Sequence, residues 1–179
     1  MKTRLSILLA VVMILSCEEP ATESFADCSK GLITGLSRDV NFPLSELKMK
    51  VPKDWLSLSL EDERVETTYL ADSALFVRTK STLALSLSSS KTKFKTLDLE
   101  APGKDFFKSK ASQIVDEGRT RCYGKECLYQ ISRDSSMIYG SFLFFEGDRL
   151  HIINLTTSSD TGERDRFCAL MSLLTNVSM

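Results

Sequence analysis

Apolar and polar residues alternate along several stretches of the chain after residue 46, which is the pattern of strands with one buried face. Leu47, Met49 and Val51 alternate with charged residues, and the run ends at Pro52, which cannot donate to a sheet ladder. The alternation returns over residues 56–60 and 83–88 with leucine at every second position. The sequence therefore predicts strands in all three stretches.

Three further stretches predict hairpins. Residues 67–70 and 74–77 flank a short polar turn, and residues 119–132 are divided by Gly124. The strongest signal is the pair of β-rich arms at 137–145 and 149–157, joined through Gly147, because glycine readily adopts the backbone of a tight turn.

Two stretches predict helices. Residues 105–117 carry apolar side chains at helical spacing before Gly118, a typical helix end. Asp160 and Glu163 resemble a capping box, and apolar residues then recur at steps of three and four through 167–177. With strands, helix, strands and helix in that order, the chain predicts a single α+β domain, an antiparallel sheet packed with helices.

The amino-terminal residues have the layout of an export signal. Lys2 and Arg4 precede an uncharged apolar run over 5–15, and the small Ser16 stands before Cys17. At about 1.5 Å per helical residue the run is too short to cross a hydrocarbon layer of roughly 30 Å.

Residues 14–17, Ile-Leu-Ser-Cys, resemble the lipobox of bacterial lipoproteins. The resemblance implies a signal peptide over 1–16, cleavage before Cys17 and a lipid anchor on Cys17 that includes palmitate. Glu18 and Glu19 are similar to residues that direct lipoproteins to the outer membrane or cell surface. A plain signal peptide and an uncleaved signal anchor are the alternatives. On this reading residues 17–37 are a lipidated tether and residues 38–179 the folded domain.

The order of elements also resembles the PsbP-like fold family. The resemblance is carried by Val51-Pro52-Lys53-Asp54-Trp55, the helix at 105–117, the turn at 123–126, the 139–157 hairpin and the closing helix. It implies a PsbP-like domain over residues 38–179 and a binding or assembly role without catalysis.

Charge excludes two classes of partner. Without Lys2 and Arg4, the chain's 23 lysines and arginines fall to 21, against 24 aspartates and glutamates. This weak acidity provides no electrostatic footprint for nucleic acid and no attraction to anionic lipid headgroups. The expected partners are the membrane, through the lipid anchor, and an envelope protein.

Four cysteines remain beside Cys17, an even number in an exported chain. They allow three pairings, and the sequence alone does not choose among them. Cys122 and Cys127 flank a predicted turn that would bring them within disulfide distance, which favours that pair and leaves Cys28 with Cys168. Four buried free thiols are the alternative. With a single histidine and no zinc-knuckle spacing, the sequence predicts neither a metal site nor a cofactor.

Candidate chemistry is sparse, and no catalytic residue is assigned. His151, the only histidine, could serve as a general base with Asp148 and a serine, although the chain lacks a G-x-S-x-G elbow. A carboxylate pair is the other basis for an envelope hydrolase. The candidates for it are Asp98, Glu100, Asp105, Asp116 and Glu117.

Two further interpretations concern apolar residues. A carrier of a small apolar ligand would need a cavity lined by residues such as Leu83, Leu85 and Phe107. Trp55 is expected in the core rather than as an exposed anchor for a partner. The sequence as a whole favours a lipid-anchored, exported binding module, with the hydrolase as the alternative.

Overall fold

A computed structural model describes Cys28 and residues 33–43, 45–62, 65–92 and 113–175 of the 179-residue chain. The strands in this part are β1 (Leu36–Asn41), β2 (Lys48–Pro52), β3 (Leu56–Glu61), β4 (Val65–Ala71), β5 (Leu83–Lys91), β6 (Gln113–Cys122), β7 (Lys125–Arg133), β8 (Met137–Glu146) and β9 (Arg149–Ser158). The helices are α1 (Ser73–Thr79) and α2 (Glu163–Thr175).

Seven of the strands form one antiparallel sheet in the order β3-β4-β5-β9-β8-β7-β6. β1 and β2 form a separate two-stranded antiparallel sheet. The core lies between the inner face of the large sheet, the small sheet and α2. Its largest fully buried side chains include Phe42, Met49, Phe142, Phe144 and Phe167.

The sequence pattern is sufficient for much of this architecture. Strands form at all three alternating stretches, and Trp55 is buried as expected. The hairpins through Gly124 and Gly147 also form. Both glycines have positive φ values, 73° and 62°, which residues with a side chain rarely adopt.

The α+β fold class is wrong. The described structure is mostly β, a seven-stranded sheet and a two-stranded sheet with two short helices, and this is not a helix-packed PsbP-like fold. Of the predicted helix at 105–117, residues 113–117 belong to β6, and residues 105–112 lie outside the described part. Ile114 and Val115 fit a helical spacing, but β-branched side chains favour strands, and pairing with β7 decides the outcome.

The hairpin predicted over 67–77 is wrong in its second arm. Residues 73–79 form α1, whose amino terminus is capped by Asp72 accepting a 2.8 Å hydrogen bond from the Leu75 backbone N–H. A side-chain acceptor at this position satisfies a helical N–H that has no partner within the helix. Neither α1 nor α2 is long and apolar enough to cross a bilayer.

Candidate functional site

His151 lies at the centre of a buried polar cluster. It is on β9, opposite Ser89 of β5 on one side and Phe144 of β8 on the other. Its ring stacks on Phe144, with centroids 5.1 Å apart, and meets Phe42 edge-on at 6.2 Å. The side chain is 0% exposed, so both neighbouring strands and the loop after β1 seal the imidazole.

One hydrogen bond, at Nδ1, and one longer contact with a carboxylate, at Nε2, orient the ring. The Ser89 Oγ and His151 Nδ1 atoms are 2.7 Å apart, and His151 Nε2 lies 3.5 Å from Glu146 Oε2. An ionised carboxylate only accepts, which favours the imidazole proton on Nε2, with the Ser89 hydroxyl donating to Nδ1. Glu146 also accepts from the Ser45 hydroxyl at 2.5 Å and from Lys125 Nζ at 2.9 Å.

Ser89, His151 and Glu146 are the residue types of a hydrolytic triad, but their geometry does not fit that role. The serine bonds Nδ1 while the carboxylate faces Nε2, and Ser89 is itself buried. Neither the hydroxyl nor the imidazole is open to a substrate. The cluster instead fastens the loop after β1, through Ser45, to the sheet.

Sequence reasoning chose the wrong partner for His151. Asp148 lies at the β8–β9 turn beside Arg149, with Oδ1 4.0 Å from Arg149 Nε. Ser89 and Glu146 were missed. Ser89 continues the every-second-residue pattern of the buried Leu85 and Leu87, a signal that it faces inward and needs a polar partner there.

Electrostatics sets the charge state of the cluster. Burial lowers the pKa of His151; the Glu146 carboxylate opposes this effect, while Lys125 and Arg149 add to it. Burial alone would raise the pKa of Glu146, but hydrogen bonds from Ser45 and Lys125 outweigh it and lower that pKa. At neutral pH the imidazole is therefore uncharged and the carboxylate ionised.

Acid is expected to destabilise the fold through His151. The unfolded chain takes up a proton below the ordinary histidine pKa of 6.5, whereas the folded chain does so only at lower pH. The contribution of His151 to the free energy of unfolding should thus be fully present above pH 6.5. It should decrease as the pH drops toward the pKa of the folded state, with a slope of at most about 1.4 kcal/mol per pH unit. Urea unfolding between pH 7 and 5 measures this slope.

The matched variant for this experiment is His151→Gln, which does not titrate. Its unfolding free energy should be nearly constant over the same pH range. The window excludes the contribution of Asp160, whose pKa is lowered by its hydrogen bond from Arg166 and which titrates at more acidic pH. An equal slope in the variant and the parent would contradict the assignment to His151.

The cysteines divide into one pair and two free thiols. Cys28 and Cys168 form a disulfide with Cα atoms 5.0 Å apart, which is the pairing that the sequence analysis favoured. Cys122 and Cys127 are free and buried, so the disulfide expected between them is not formed.

The turn between β6 and β7 explains this difference. It consists of Tyr123 and Gly124, with φ values of 56° and 73°, and it places Cys122 opposite Lys125 and Cys127 opposite Thr120. The two cysteines are diagonal neighbours, which lie farther apart than a directly facing pair. The pKa of the Cys127 thiol is raised, mainly by a hydrogen bond with Cys122 and secondly by burial.

The candidate carboxylates do not converge on a cleft. Asp98, Glu100 and Asp105 lie outside the described residues. Asp116 and Glu117 are consecutive in β6 and so point to opposite faces of the sheet. Asp116 accepts from the Tyr129 hydroxyl at 3.3 Å, and Glu117 accepts from Gln130 Nε2 at 3.0 Å.

A polar cavity of about 360 Å³ lies between the loop after β1 and the ends of β3 and β4. Its lining includes Asn41, Ser45, Ser59, Thr68, and the facing pair Glu61 and Glu66. The residues proposed for an apolar carrier lie elsewhere: Leu83 and Leu85 are packed in the core, and Phe107 is outside the described part. Within the described ranges, no group of three or more His, Cys, Asp or Glu side chains is placed to hold a metal ion.

Three large apolar residues are exposed side by side on β3, at one edge of the large sheet. Leu56, Leu58 and Leu60 are 62%, 59% and 53% exposed, although their alternation had predicted a buried face. Phe76 and Val77 of α1, the helix that follows β4 in the chain, are also exposed. Within the described part of the chain no strand pairs with this edge, whereas the His151 cluster is buried.

Comparisons with known proteins give little further information. No known family and no curated protein matches the chain. Among solved structures, a protein from Bacteroides thetaiotaomicron is similar at 11% sequence identity and a TM-score of 0.41, over 75% of this chain. The aligned part spans about half, 47%, of that protein's length.

Proposed function

We propose that this chain is a lipid-anchored, exported protein of the bacterial envelope that acts by binding another envelope protein. The leader over residues 1–16 and the lipobox-like Cys17 support the anchor. The Cys28–Cys168 disulfide is the observation that carries the proposal. Disulfides of this kind persist in oxidising compartments outside the cytosol.

The position of Cys28 sets how far the domain stands from its anchor. Residues 18–27 separate Cys17 from Cys28, and a fully extended chain over that interval reaches at most about 40 Å. A domain fastened at Cys28 to α2 is therefore held close to the membrane surface. Glu18 and Glu19 favour the outer membrane as that surface.

Binding is the activity that the exposed chemistry favours. Ser89 and His151, which a hydrolase would use, are sealed in the interior, while the apolar β3 edge faces solvent. An unpaired strand edge offers backbone N–H and C=O groups to an extended segment of a partner. The binding surface in this proposal is the β3 edge.

The intact mass of the protein purified from its native membrane tests the anchor. We expect the loss of residues 1–16 and the addition of diacylglyceryl and acyl groups to Cys17. The Cys17→Ala variant should leave the membrane fraction almost completely, because about 0.8 kcal/mol per buried CH₂ makes two or three acyl chains a stable anchor.

Cys28→Ser is the matched control, since it removes a nearby cysteine that carries no lipid in this proposal, and it should remain in the membrane fraction. Separation of inner and outer membranes on a density gradient tests the placement. An unmodified Cys17, whether in a soluble chain or an uncleaved one, would overturn the anchor.

A further inference from the structure

The two edges of the large sheet differ in their protection. β6, at one edge, carries Asp116, Glu117, Arg119 and Arg121 and has a register shift between Ile114 and Asp116. Charges and bulges of this kind prevent edge-to-edge association. β3, at the other edge, has no lysine, proline or register shift, and its sequence from residue 56 to 60 is uncharged. Among the described residues, the β3 edge therefore lacks the features that prevent the addition of a strand.

The hydrogen-bond pattern shows which groups of β3 are available. The Asp62 N–H donates to the Val65 carbonyl at 3.0 Å, which makes these two residues a hydrogen-bonded pair. Because such pairs alternate along an antiparallel ladder, Leu56, Leu58 and Leu60 also bond to β4. The N–H and C=O groups of Ser57 and Ser59 therefore point away from the sheet.

These groups are self-complementary in an antiparallel pair, and one register also sets every leucine opposite a leucine. A two-fold axis at Leu58 sets Ser57 opposite Ser59 of a second copy, as hydrogen-bonded pairs with their groups correctly directed. Leucine then faces leucine at every non-hydrogen-bonded position, where side chains approach most closely. A shift of the axis to Ser59 would instead set Leu56 against Asp62.

We propose that β3 pairs with β3 of a second copy of this chain about a two-fold axis at Leu58, joining two seven-stranded sheets into one. The inference rests on the proposed function, because it uses the same β3 edge. It identifies the envelope protein partner as a second copy of this chain. No like charges face each other within residues 56–60. The Trp55 carbonyl already accepts from Arg38 at 2.7 Å, which ends the pairing at Leu56.

The lipid anchor provides the conditions for so small a contact. A six-residue edge buries less surface than the roughly 1,200 Å² of a stable interface, so two free domains should associate weakly. Confinement to one membrane converts the encounter into one at high effective concentration. The pair is thus expected on the membrane and not in dilute solution.

Disulfide trapping in the full-length, membrane-anchored protein tests the register. In Leu58→Cys the two introduced thiols meet across the axis, within the Cα separation that a disulfide requires. We expect a dimer on a non-reducing gel, at roughly tenfold or greater yield than from Val77→Cys, which is 70% exposed but off the edge. Peptide mass analysis should find the bond joining residue 58 to residue 58.

A second substitution shows whether the crosslinked dimer arises from strand pairing or from random collision of two chains. Ser57→Pro removes an N–H that points away from β4, so the chain's own sheet is retained, and it should abolish the Leu58→Cys dimer. Ser57→Ala, its matched control, should leave the dimer unchanged. Equal trapping by Val77→Cys, or a dimer that survives Ser57→Pro, would overturn the proposal.

The result also separates this inference from the proposed function. Trapping of Leu58→Cys to a different protein would overturn the second copy as partner and leave binding at β3 standing. A dimer at residue 58 in a chain whose Cys17 is unmodified would leave the pairing standing and remove the anchor.

Discussion

Replacement of Cys168 by serine is expected to lower the free energy of unfolding by about 3–5 kcal/mol. The disulfide to Cys28 closes a loop with a sequence separation of 140 residues, and long loops lose the most conformational entropy in the unfolded chain when they are closed. For a domain of this size, such a loss corresponds to roughly 10 °C in Tm. Thermal unfolding of the oxidised protein, followed by circular dichroism, measures it.

The double variant provides the control. Cys28→Ser and Cys168→Ser each break the same bond, so the double variant should lose about as much unfolding free energy as either single variant. Such a failure of additivity shows that the two residues share one interaction. Reducing agent should lower the Tm of the parent but not that of the double variant. Additive losses from the two single variants would show that the thiols contribute independently.

The substitution Phe167→Ala is expected to lower the free energy of unfolding by about 3–5 kcal/mol. Phe167 is fully buried in α2 and packs directly over Gly140 of β8, where an added Cβ would lie 2.7 Å from Phe167 Cζ. Removing the ring leaves a cavity at the point where the helix meets the sheet. Urea denaturation of both proteins provides the comparison.

Phe76→Ala is the matched control, because Phe76 is on the other helix, α1, and is exposed. Phe76→Ala should change the free energy of unfolding by no more than about 0.5 kcal/mol. A double-mutant cycle then tests the contact itself. Gly140→Ala should cost about 1–3 kcal/mol in the parent by overpacking and much less beside Phe167→Ala. An unchanged cost would mean that the ring does not limit this position.

Local pattern was a reliable guide where a structure depends on neighbouring residues. The alternation at 47–51 and 83–88 predicts β2 and β5 because a strand's side chains point alternately to two faces. Gly124 and Gly147 mark their turns because the backbone there needs a positive φ. The same reasoning failed at Ile114 and Val115, where short apolar spacing fits helix and strand equally.

Contacts between distant segments decided the candidate sites. Ser89 meets His151 only because β5 and β9 are neighbours in the sheet, and Glu146 completes the cluster from β8. The chain contains the serine, the histidine and the acid, but its local pattern does not state the order of the strands. For the same reason, Asp148 was the acid considered for His151, and Glu146 was not.

The sequence by itself determined the main strands and two of the hairpins, because each depends on residues that are adjacent in the chain. The export-type leader and the lipid anchor on Cys17 stay predictions from the sequence. The tertiary structure alone decided that the fold is mostly β, that Cys122 and Cys127 do not face each other, and that β3 is at an edge. Leu56, Leu58 and Leu60 read locally as a buried face. Only the order of strands shows that no further strand covers that edge among the described residues, and this position is what makes the edge available to a partner.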